Sequence, residues 1–300
     1  MGPSGSGKTT LLNVLAHRVA SADAQVSGQV LINDHQPTQA KLRQISTYVE
    51  QDSLIGSLTV RETVDFAARL SLPSTVSKEA RRTRVDGLLQ SFGLNEQANL
   101  LVGTPIRKGI SGGQKRRLGV ASQLVTSPKI VFLDEPTSGL DSTASYEVMR
   151  FIKDIAEKNR LVVIASIHQP STATFELFDK LVLHSGGKTC YSGSVEGTMP
   201  YFAAISYSMP LYINPAEFLL DLVNPDFAKD RAASHQRING IHEEWARSAE
   251  INSLKSTSSI MSNNEKEPQL TDGLDNRSQF LQPVTLLHRN FIKSYRDVIG

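Results

Sequence analysis

The feature that most constrains the fold of this chain stands at its N-terminus, where a glycine-rich loop runs into a helix with an apolar stripe. The pattern Gly-x-x-x-x-Gly-Lys-Thr occupies residues 2–9 and leads directly into a leucine-containing helical pattern. Glycines let successive backbone N–H groups point at one anion, and the helix that follows presents its positive end to it. The pattern predicts a phosphate-binding loop, and the alternative is a flexible glycine-serine terminus.

Each residue type in this loop has an expected task. Lys8 can reach the β- and γ-phosphates of a nucleotide, and the Thr9 hydroxyl can bind Mg²⁺. The remaining candidate nucleotide-binding residues offer backbone amides or hydroxyls: Gly2, Pro3, Ser4, Gly5, Ser6, Gly7 and Thr10. A loop of this kind follows a β-strand, and we expect that strand to lie upstream of Met1.

Beyond the loop, apolar patterns with strand and helix periods alternate along the chain. A short, fully apolar run at residues 130–133 is typical of a buried parallel strand, and a capping box is predicted at Thr59 and Glu62. Such alternation predicts an α/β fold with a mostly parallel sheet. Strands are expected at residues 28–33, 45–50, 130–133, 161–167, 181–184 and 188–192, and helices at 77–92, 112–126, 142–158, 197–204, 215–223 and 281–299.

Composition excludes several classes of function. A net charge of +2 gives no support for nucleic-acid binding through a basic face. The single cysteine, Cys190, rules out an internal disulfide, and we interpret it as a buried structural thiol rather than a reactive one. No run approaches the ~18 consecutive apolar residues that a membrane span requires.

An acidic pair, Asp134 and Glu135, closes the apolar run at residues 130–133. A carboxylate at the end of a central strand beside a phosphate loop is where a Mg²⁺ ligand belongs, and Asp134 is the candidate. Glu135 can polarise the attacking water as a general base. The alternative is a solvated strand end that carries two ordinary acids.

Two further polar residues follow in the same pattern. Asp141 stands in a turn before the helix at residues 142–158, where it also has a plain interpretation as a helix cap. His168 ends the expected strand 161–167 and can face the crevice in which ligands bind in open α/β sheets. We expect it to contact the γ-phosphate, with a structural histidine as the alternative.

A second possible anion site lies between the loop and the acidic pair. Ile110 is followed by Ser111, Gly112, Gly113 and Gln114, which place a hydroxyl and bare amides at a helix N-terminus. This stretch resembles the signature sequence of the ABC ATPase domain, with isoleucine in place of leucine. The resemblance implies a head-to-tail pair of ATPase domains with two ATP molecules in the interface.

The order of the motifs strengthens the resemblance. In the sequence Tyr48-Val49-Glu50-Gln51, Gln51 is similar to the family's Q-loop glutamine, which implies contact with Mg²⁺ and the attacking water. The stretch around residues 58–63 and the sequence Asn214-Pro215-Ala216-Glu217-Phe218 resemble the G subfamily of half-transporters. In that family Asp141 belongs to a loop at the dimer interface.

The resemblance also implies a domain organisation. Residues 1–225 would form a P-loop NTPase domain with a helical signature subdomain at about 58–123. Residues 226–280 would be a flexible linker with a short helix, and residues 281–300 a C-terminal amphipathic helix along the cytosolic membrane face. The family's first strands, its adenine-stacking aromatic residue and its transmembrane helices would then lie outside this chain.

The implied function is ATP hydrolysis that powers export of a lipid-like or xenobiotic substrate, with ATP and Mg²⁺ as cofactors. The expected partners are a second ABC ATPase domain, identical or different, and a transmembrane domain normally in the same chain, with no nucleic acid. Two alternatives stay open. One is a soluble ABC-type ATPase that works on nucleic acid or ribosomes, and the other is a truncated fragment without catalytic activity.

Overall fold

The structure, a computed structural model, describes residues 1–18, 25–33, 35–50, 54–104, 106–225, 231–248 and 281–299. The helices are α1 Lys8–Leu15, α2 Gln39–Ile45, α3 Val60–Ser71, α4 Lys78–Ser91, α5 Gly112–Gln123, α6 Ser142–Asn159, α7 Thr172–Phe175, α8 Val195–Ala204, α9 Pro215–Val223, α10 Arg231–Arg247 and α11 Leu281–Ile299. The strands are β1 Ser46–Val49, β2 Ile130–Asp134, β3 Val162–Ser166, β4 Lys180–Ser185 and β5 Lys188–Ser194.

The chain divides into two compact units. The first unit consists of Met1–Gln39 and Ala165–Pro268, and the second of Ala40–Ile164 and Gln269–Gly300. Each unit brings together segments that are far apart in sequence, and each has its own set of buried side chains.

The second unit is built on a parallel sheet with the strand order β1-β2-β3. Strands β1 and β2 run parallel in a register that pairs Ser46 with Ile130 and Val49 with Leu133. The middle of β2 is almost completely buried, as expected of a strand that is covered on both faces. The predicted α/β class and parallel pairing are confirmed, and β3 ends with two residues that belong to the first unit.

The second unit contains helices α3, α4, α5, α6 and α11 and nearly all of α2. The predicted capping box is present at the start of α3, where the Thr59 hydroxyl accepts from the Glu62 amide and the Glu62 carboxylate accepts from the Thr59 amide. One face of α3 is buried through Val60, Val64 and Ala68. Among the described residues, no helix is both long and apolar enough to cross a bilayer.

The core of the first unit lies against the antiparallel hairpin of β4 and β5. Gly186 and Gly187 form its turn with left-handed φ angles of 54° and 76°, which suit residues without a Cβ. Tyr191 of β5 packs against Phe202 and Trp245. These aromatic rings supply much of the apolar surface that this unit buries.

Cys190 is fully buried next to this aromatic cluster. Burial raises the pKa of its thiol to about 12, because an apolar surrounding disfavours the thiolate. At neutral pH the group is therefore protonated and shielded from solvent. The interpretation of Cys190 as a structural thiol is confirmed.

Helix α10 is longer than the short helix expected in the region 226–280, since it runs for 17 residues. Its buried face carries Ile238, Ile241 and Trp245, which pack into the core of the first unit. This stripe gives only a weak signal in the sequence, because polar residues dominate the helix and only every third or fourth position is apolar. Residues 226–230 and 249–280 of the expected linker lie outside the described residues.

The strand expected at residues 28–33 is wrong. The described residues of this stretch form only an isolated bridge between Ile32 and His35. Leu31 is more than one-third exposed, so its apolar side chain has no core to enter. A strand requires a partner strand for its backbone groups, and an apolar period alone does not supply one.

Candidate functional site

The N-terminal loop has a backbone suited to an anion. Gly5 and Gly7 have left-handed φ angles of 72° and 94°, a region that glycine enters without strain. Gly7 is the N-cap residue of α1 and makes no side-chain cap to the first turn of the helix. Thr9 and Thr10, in the first turn, are exposed. Amides at a helix N-terminus, exposed hydroxyls and a lysine are a donor set that fits the oxygens of a polyphosphate.

The Lys8 side chain folds back over this loop. Its ammonium group donates hydrogen bonds to the carbonyl oxygens of Gly2 and Pro3, each at 2.9 Å. The positive charge is thereby held at the mouth of the loop, beside the N-terminus of α1. The sequence predicts the charge at this place but gives no sign of these two bonds.

The loop is anchored on the β4–β5 hairpin. The N-terminal nitrogen of Met1 donates to the Val182 carbonyl at 2.7 Å, and the His184 amide donates to the Met1 carbonyl at 2.9 Å. This pair of bonds has the pattern of neighbouring parallel strands. The Gly187 amide also donates to the Ser6 carbonyl at 3.2 Å. The hairpin therefore fixes both ends of the loop, a contact that sequence reasoning missed.

Gly2 has no room for a side chain in this arrangement. A Cβ atom built there would lie 2.3 Å from the His184 carbonyl oxygen and 2.6 Å from the Ser6 hydroxyl oxygen. Contacts that short with backbone do not occur, so any other residue would displace the loop from the hairpin. The first glycine of the motif is thus required by packing against β4.

His168 lies in the same unit as the loop, shortly after the end of β3, and its side chain is exposed. The next residue, Gln169, has a left-handed φ of 44°, so the chain turns sharply after the histidine. The structure therefore presents an accessible imidazole at the end of a parallel strand. Its contact with a γ-phosphate stays a prediction.

The acidic pair lies in the second unit at the end of β2. Asp134 is the last residue of the strand, and its Oδ2 accepts a hydrogen bond from the Tyr48 hydroxyl at 3.1 Å. Glu135 has a left-handed φ of 46°, which is unfavourable for a residue with a side chain. Its carbonyl accepts from the Ser138 amide and closes a turn. Backbone strain of this kind concentrates at functional sites.

The signature stretch forms the N-terminus of α5, as its sequence predicts. The Ser111 hydroxyl accepts from the Gln114 amide at 3.3 Å, and the Gln114 side chain accepts from the Ser111 amide at 2.9 Å. Ser111 and Gly112 are exposed. The hydroxyl that we expect to meet a phosphate is therefore accessible, and in this structure it caps its own helix.

The loop after the acidic pair packs against the signature helix. Arg116 donates to the Ser138 carbonyl at 2.9 Å, and a Cβ built on Gly112 would lie 2.8 Å from the Leu140 side chain. Asp141 then caps α6, because its carboxylate accepts from the Ala144 amide at 2.8 Å. The plain interpretation of Asp141 as a cap is observed, and its role at a dimer interface stays a prediction.

The candidate residues are shared between the two units. The phosphate loop and His168 belong to the first, and the acidic pair, Asp141 and the stretch from Ser111 to Gln114 belong to the second. Gln51 lies outside the described residues. Within each unit the sequence reasoning missed mainly backbone conformation at Glu135 and hydrogen bonds that join distant segments, for which no local signal exists.

Magnesium has plausible ligands in this set but no cage of its own. Thr9 offers a hydroxyl and Asp134 a carboxylate, and such oxygen donors suit Mg²⁺. In the described part of the chain, no group of three or more acidic, histidine or cysteine residues could hold a metal ion.

Comparison with protein families gives two matches. Residues 1–138 match the family described as ABC transporter, and residues 168–278 match the family described as ABC-2 type transporter. The first match contains the phosphate loop, the signature stretch and the acidic pair. The two together cover most of the chain.

Curated relatives share much of the sequence. ABC transporter G family member 1 of Petunia hybrida is 38% identical over 306 residues, which cover 99% of this chain and 47% of the relative. ABC transporter G family member 11 of Arabidopsis thaliana is 43% identical over 77% of this chain and 33% of the relative. The broad substrate specificity ATP-binding cassette transporter of Sus scrofa is 40% identical over 81% of this chain and 37% of the relative. The chain thus spans half or less of the length of these relatives.

Solved structures share the fold. The cbiO1 structure from Clostridium perfringens, part of an ABC transporter complex, aligns with a TM-score of 0.57 and 24% identity over 69% of this chain and 80% of that one. A dimeric ATP-binding cassette in a post-hydrolysis state, bound to ADP and Pi, aligns with a TM-score of 0.51 and 27% identity. The alignment covers 65% of this chain and 83% of that one. The predicted P-loop α/β fold is therefore confirmed.

Proposed function

Because the chain belongs to the ABC transporter family, we propose that it binds Mg-ATP and hydrolyses it to drive export of a lipid-like or xenobiotic substrate. The observation that carries the proposal is the N-terminal loop. Its left-handed glycines, the helix that begins at Lys8 and the Lys8 ammonium group support a phosphate site within a single compact unit. The kinship of this chain with G family transporters supports the coupling of that site to transport.

Binding would use the groups that the loop already presents. The amides at the start of α1 and the Lys8 ammonium would hold the β- and γ-phosphates, with additional donors from Ser4 to Gly7 and from Thr10. Thr9, Gln51 and Asp134 would hold Mg²⁺, which neutralises charge on the phosphates when bound. Lys8 would exchange its bonds to Gly2 and Pro3 for bonds to phosphate oxygens.

Hydrolysis would depend on Glu135 and His168. The Glu135 carboxylate would orient water and accept its proton. His168 would donate a hydrogen bond to the γ-phosphate from its exposed position after β3. The contribution of the protein is then positioning and charge stabilisation rather than covalent chemistry.

A second ATPase domain would complete each site. Ser111 and Gly113 stand at the accessible start of α5, where their hydroxyl and amide can meet a phosphate held by another copy. Asp141 would lie at the same interface. The dimeric ATP-binding cassette among the solved structures supports such an arrangement.

Helix α11 would connect this ATPase domain, residues 1–225, to a membrane domain. It pairs exposed apolar side chains, among them Leu287, Phe291 and Tyr295, with His288, Arg289 and Lys293. An amphipathic helix with this composition is suited to lie on the cytosolic surface of a membrane. In that arrangement the residues between α10 and α11 would act as the linker, because α10 itself packs into the core of the first unit.

The test is to separate ATP binding from hydrolysis in purified protein. Glu135→Gln should reduce ATPase turnover by at least about 100-fold, since general-base assistance is lost, and should leave ATP affinity within about twofold. Lys8→Ala should weaken ATP binding itself, measured by calorimetric titration. Glu157→Gln, which changes an exposed acid on α6, is the matched control and should behave as wild type. Unchanged turnover in Glu135→Gln would contradict the assignment.

A further inference from the structure

We propose that Tyr48 is a positioning residue for the Asp134 carboxylate and so sets the affinity of the site for the divalent cation. The proposal deepens the function given above and rests on it. The observation is the hydrogen bond from the Tyr48 hydroxyl to Asp134 Oδ2 at 3.1 Å, between strands that are 86 residues apart along the chain. Both residues lie in the second unit.

The parallel register of β1 and β2 makes this contact possible. Tyr48 pairs with Phe132, so the two side chains stand on the same face of the sheet, and their rings stack with centroids 6.4 Å apart and an interplanar angle of 25°. Asp134 is two residues beyond Phe132 and therefore emerges on that face as well. Two residues advance a strand by about 6.6 Å, a distance that a phenol ring bridges and that a serine or threonine hydroxyl does not.

The bond restrains the carboxylate. A hydroxyl that donates to a carboxylate restricts its rotation, as hydrogen bonds to metal-binding carboxylates generally do. A carboxylate offers about four acceptor positions, so one bond at Oδ2 leaves capacity for a cation. The stacking of Tyr48 on Phe132 restrains the donor in turn. The tyrosine thus acts through Asp134 and has no need to touch the nucleotide.

Tyr48→Phe removes only the hydroxyl and keeps the ring on Phe132. We expect it to weaken Mn²⁺ binding to protein with bound ADP by about tenfold, measured by electron paramagnetic resonance without turnover, since loss of an outer hydrogen bond to a metal ligand has effects on this order. The Mg²⁺ concentration for half-maximal ATPase activity should rise by a similar factor, with little change at saturating Mg²⁺. Binding of ATP in excess EDTA should be unchanged.

Thr47→Val is the matched control. Thr47 is the neighbour of Tyr48 on β1, and its hydroxyl bonds to the Gln123 side chain at 3.0 Å instead of Asp134. Wild-type Mn²⁺ affinity is expected for this variant, with thermal unfolding recorded for both. If Tyr48→Phe matched wild type, or if both variants lost affinity alike, the positioning role would be overturned. Failure of the proposed function would look different, because wild type itself would then not bind Mg-ATP.

Discussion

Glu135 shows most clearly how a single residue can be held against its own conformational preference. Its φ of 46° places it in the left-handed region, which costs a residue with a Cβ about 1–2 kcal/mol and a glycine almost nothing. A glycine would therefore be the stable choice at the end of β2. A carboxylate in its place fits a site at which chemistry outweighs stability.

The strain at Glu135 predicts an inverted order of stability between two variants. The free energy of unfolding should be about 1 kcal/mol higher for Glu135→Gly than for Glu135→Ala. Alanine keeps the strain of the left-handed backbone, whereas glycine removes it. Chemical denaturation of both variants measures the difference. At Glu157, an exposed position within α6, the order should be reversed, since glycine is unfavourable inside a helix. An alanine variant as stable as the glycine variant at position 135 would contradict the strain.

At the scale of elements, Glu62 connects two helices that are distant in sequence. Its carboxylate accepts from the Thr59 amide at 2.8 Å and so caps α3, and it also receives both guanidinium nitrogens of Arg296 on α11, at 2.6 and 2.9 Å. Burial alone raises the pKa of Glu62, but the hydrogen bonds from Arg296 and Thr59 outweigh it and hold the pKa below 4.5. One ionised group thus anchors both helices.

The lowered pKa of Glu62 gives the pair a defined pH dependence. The group is ionised above its unfolded pKa of 4.5, so the pair stabilises the fold fully there and less as pH falls through the lower folded value. Arg296→Gln should lower the free energy of unfolding by about 1–2 kcal/mol at pH 7. The part of this loss that comes from the ion pair should disappear in acid, whereas the bond from Arg296 to the Ser57 carbonyl at 3.0 Å is lost at any pH. Arg247→Gln breaks two ion pairs on α10 in which the Arg247 side chain is two-thirds exposed, and it should cost less than about 0.5 kcal/mol. A loss as large at pH 3 as at pH 7 would argue against the ion pair with Glu62.

The elements also show which parts of this fold can be predicted from sequence. The α3 cap and the apolar β2 run are local signals, and both are observed. The bond from Tyr48 to Asp134 depends on a register between distant strands, and the anchoring of the loop on β4 depends on tertiary pairing. Neither leaves a local pattern. The wrong prediction of a strand at residues 28–33 has the same origin, because a local apolar pattern does not reveal whether a partner strand exists.

The whole chain carries the groups for ATP chemistry in two compact units, each of which holds part of the set. The first unit presents the phosphate loop and His168, and the second presents the acidic pair and the signature helix. A net charge of +2 leaves self-association without strong electrostatic repulsion. The proposed association of two copies around nucleotide would therefore meet little charge repulsion.

That expectation can be tested by molar mass. With ATP, the Glu135→Gln protein should double its mass in light scattering after size exclusion, because ATP stays bound in the interface, and should be monomeric without nucleotide. Adding Gly113→Asp should abolish the ATP-dependent dimer, since a carboxylate would face the γ-phosphate of the other copy. Gly87→Asp is the matched control, because Gly87 lies on the exposed side of α4 with open space around it. A dimer that survives Gly113→Asp would exclude the signature from the interface.

The Lys8 ammonium donates two hydrogen bonds to the Gly2 and Pro3 carbonyls, and these carbonyls compete with a bound anion for the lysine. An incoming anion must outcompete two carbonyl oxygens for one cation, so its affinity reflects an exchange of partners and not a simple attraction of charges. An anion that also engages the amides of α1 gains enough to drive the exchange, whereas a small one gains little. The loop should therefore discriminate by ligand size. Sulfate or inorganic phosphate should displace bound ATP only at concentrations orders of magnitude higher than ADP requires. Equal potency of the small anions and ADP would show that the bonds from Lys8 to Gly2 and Pro3 do not compete with the ligand.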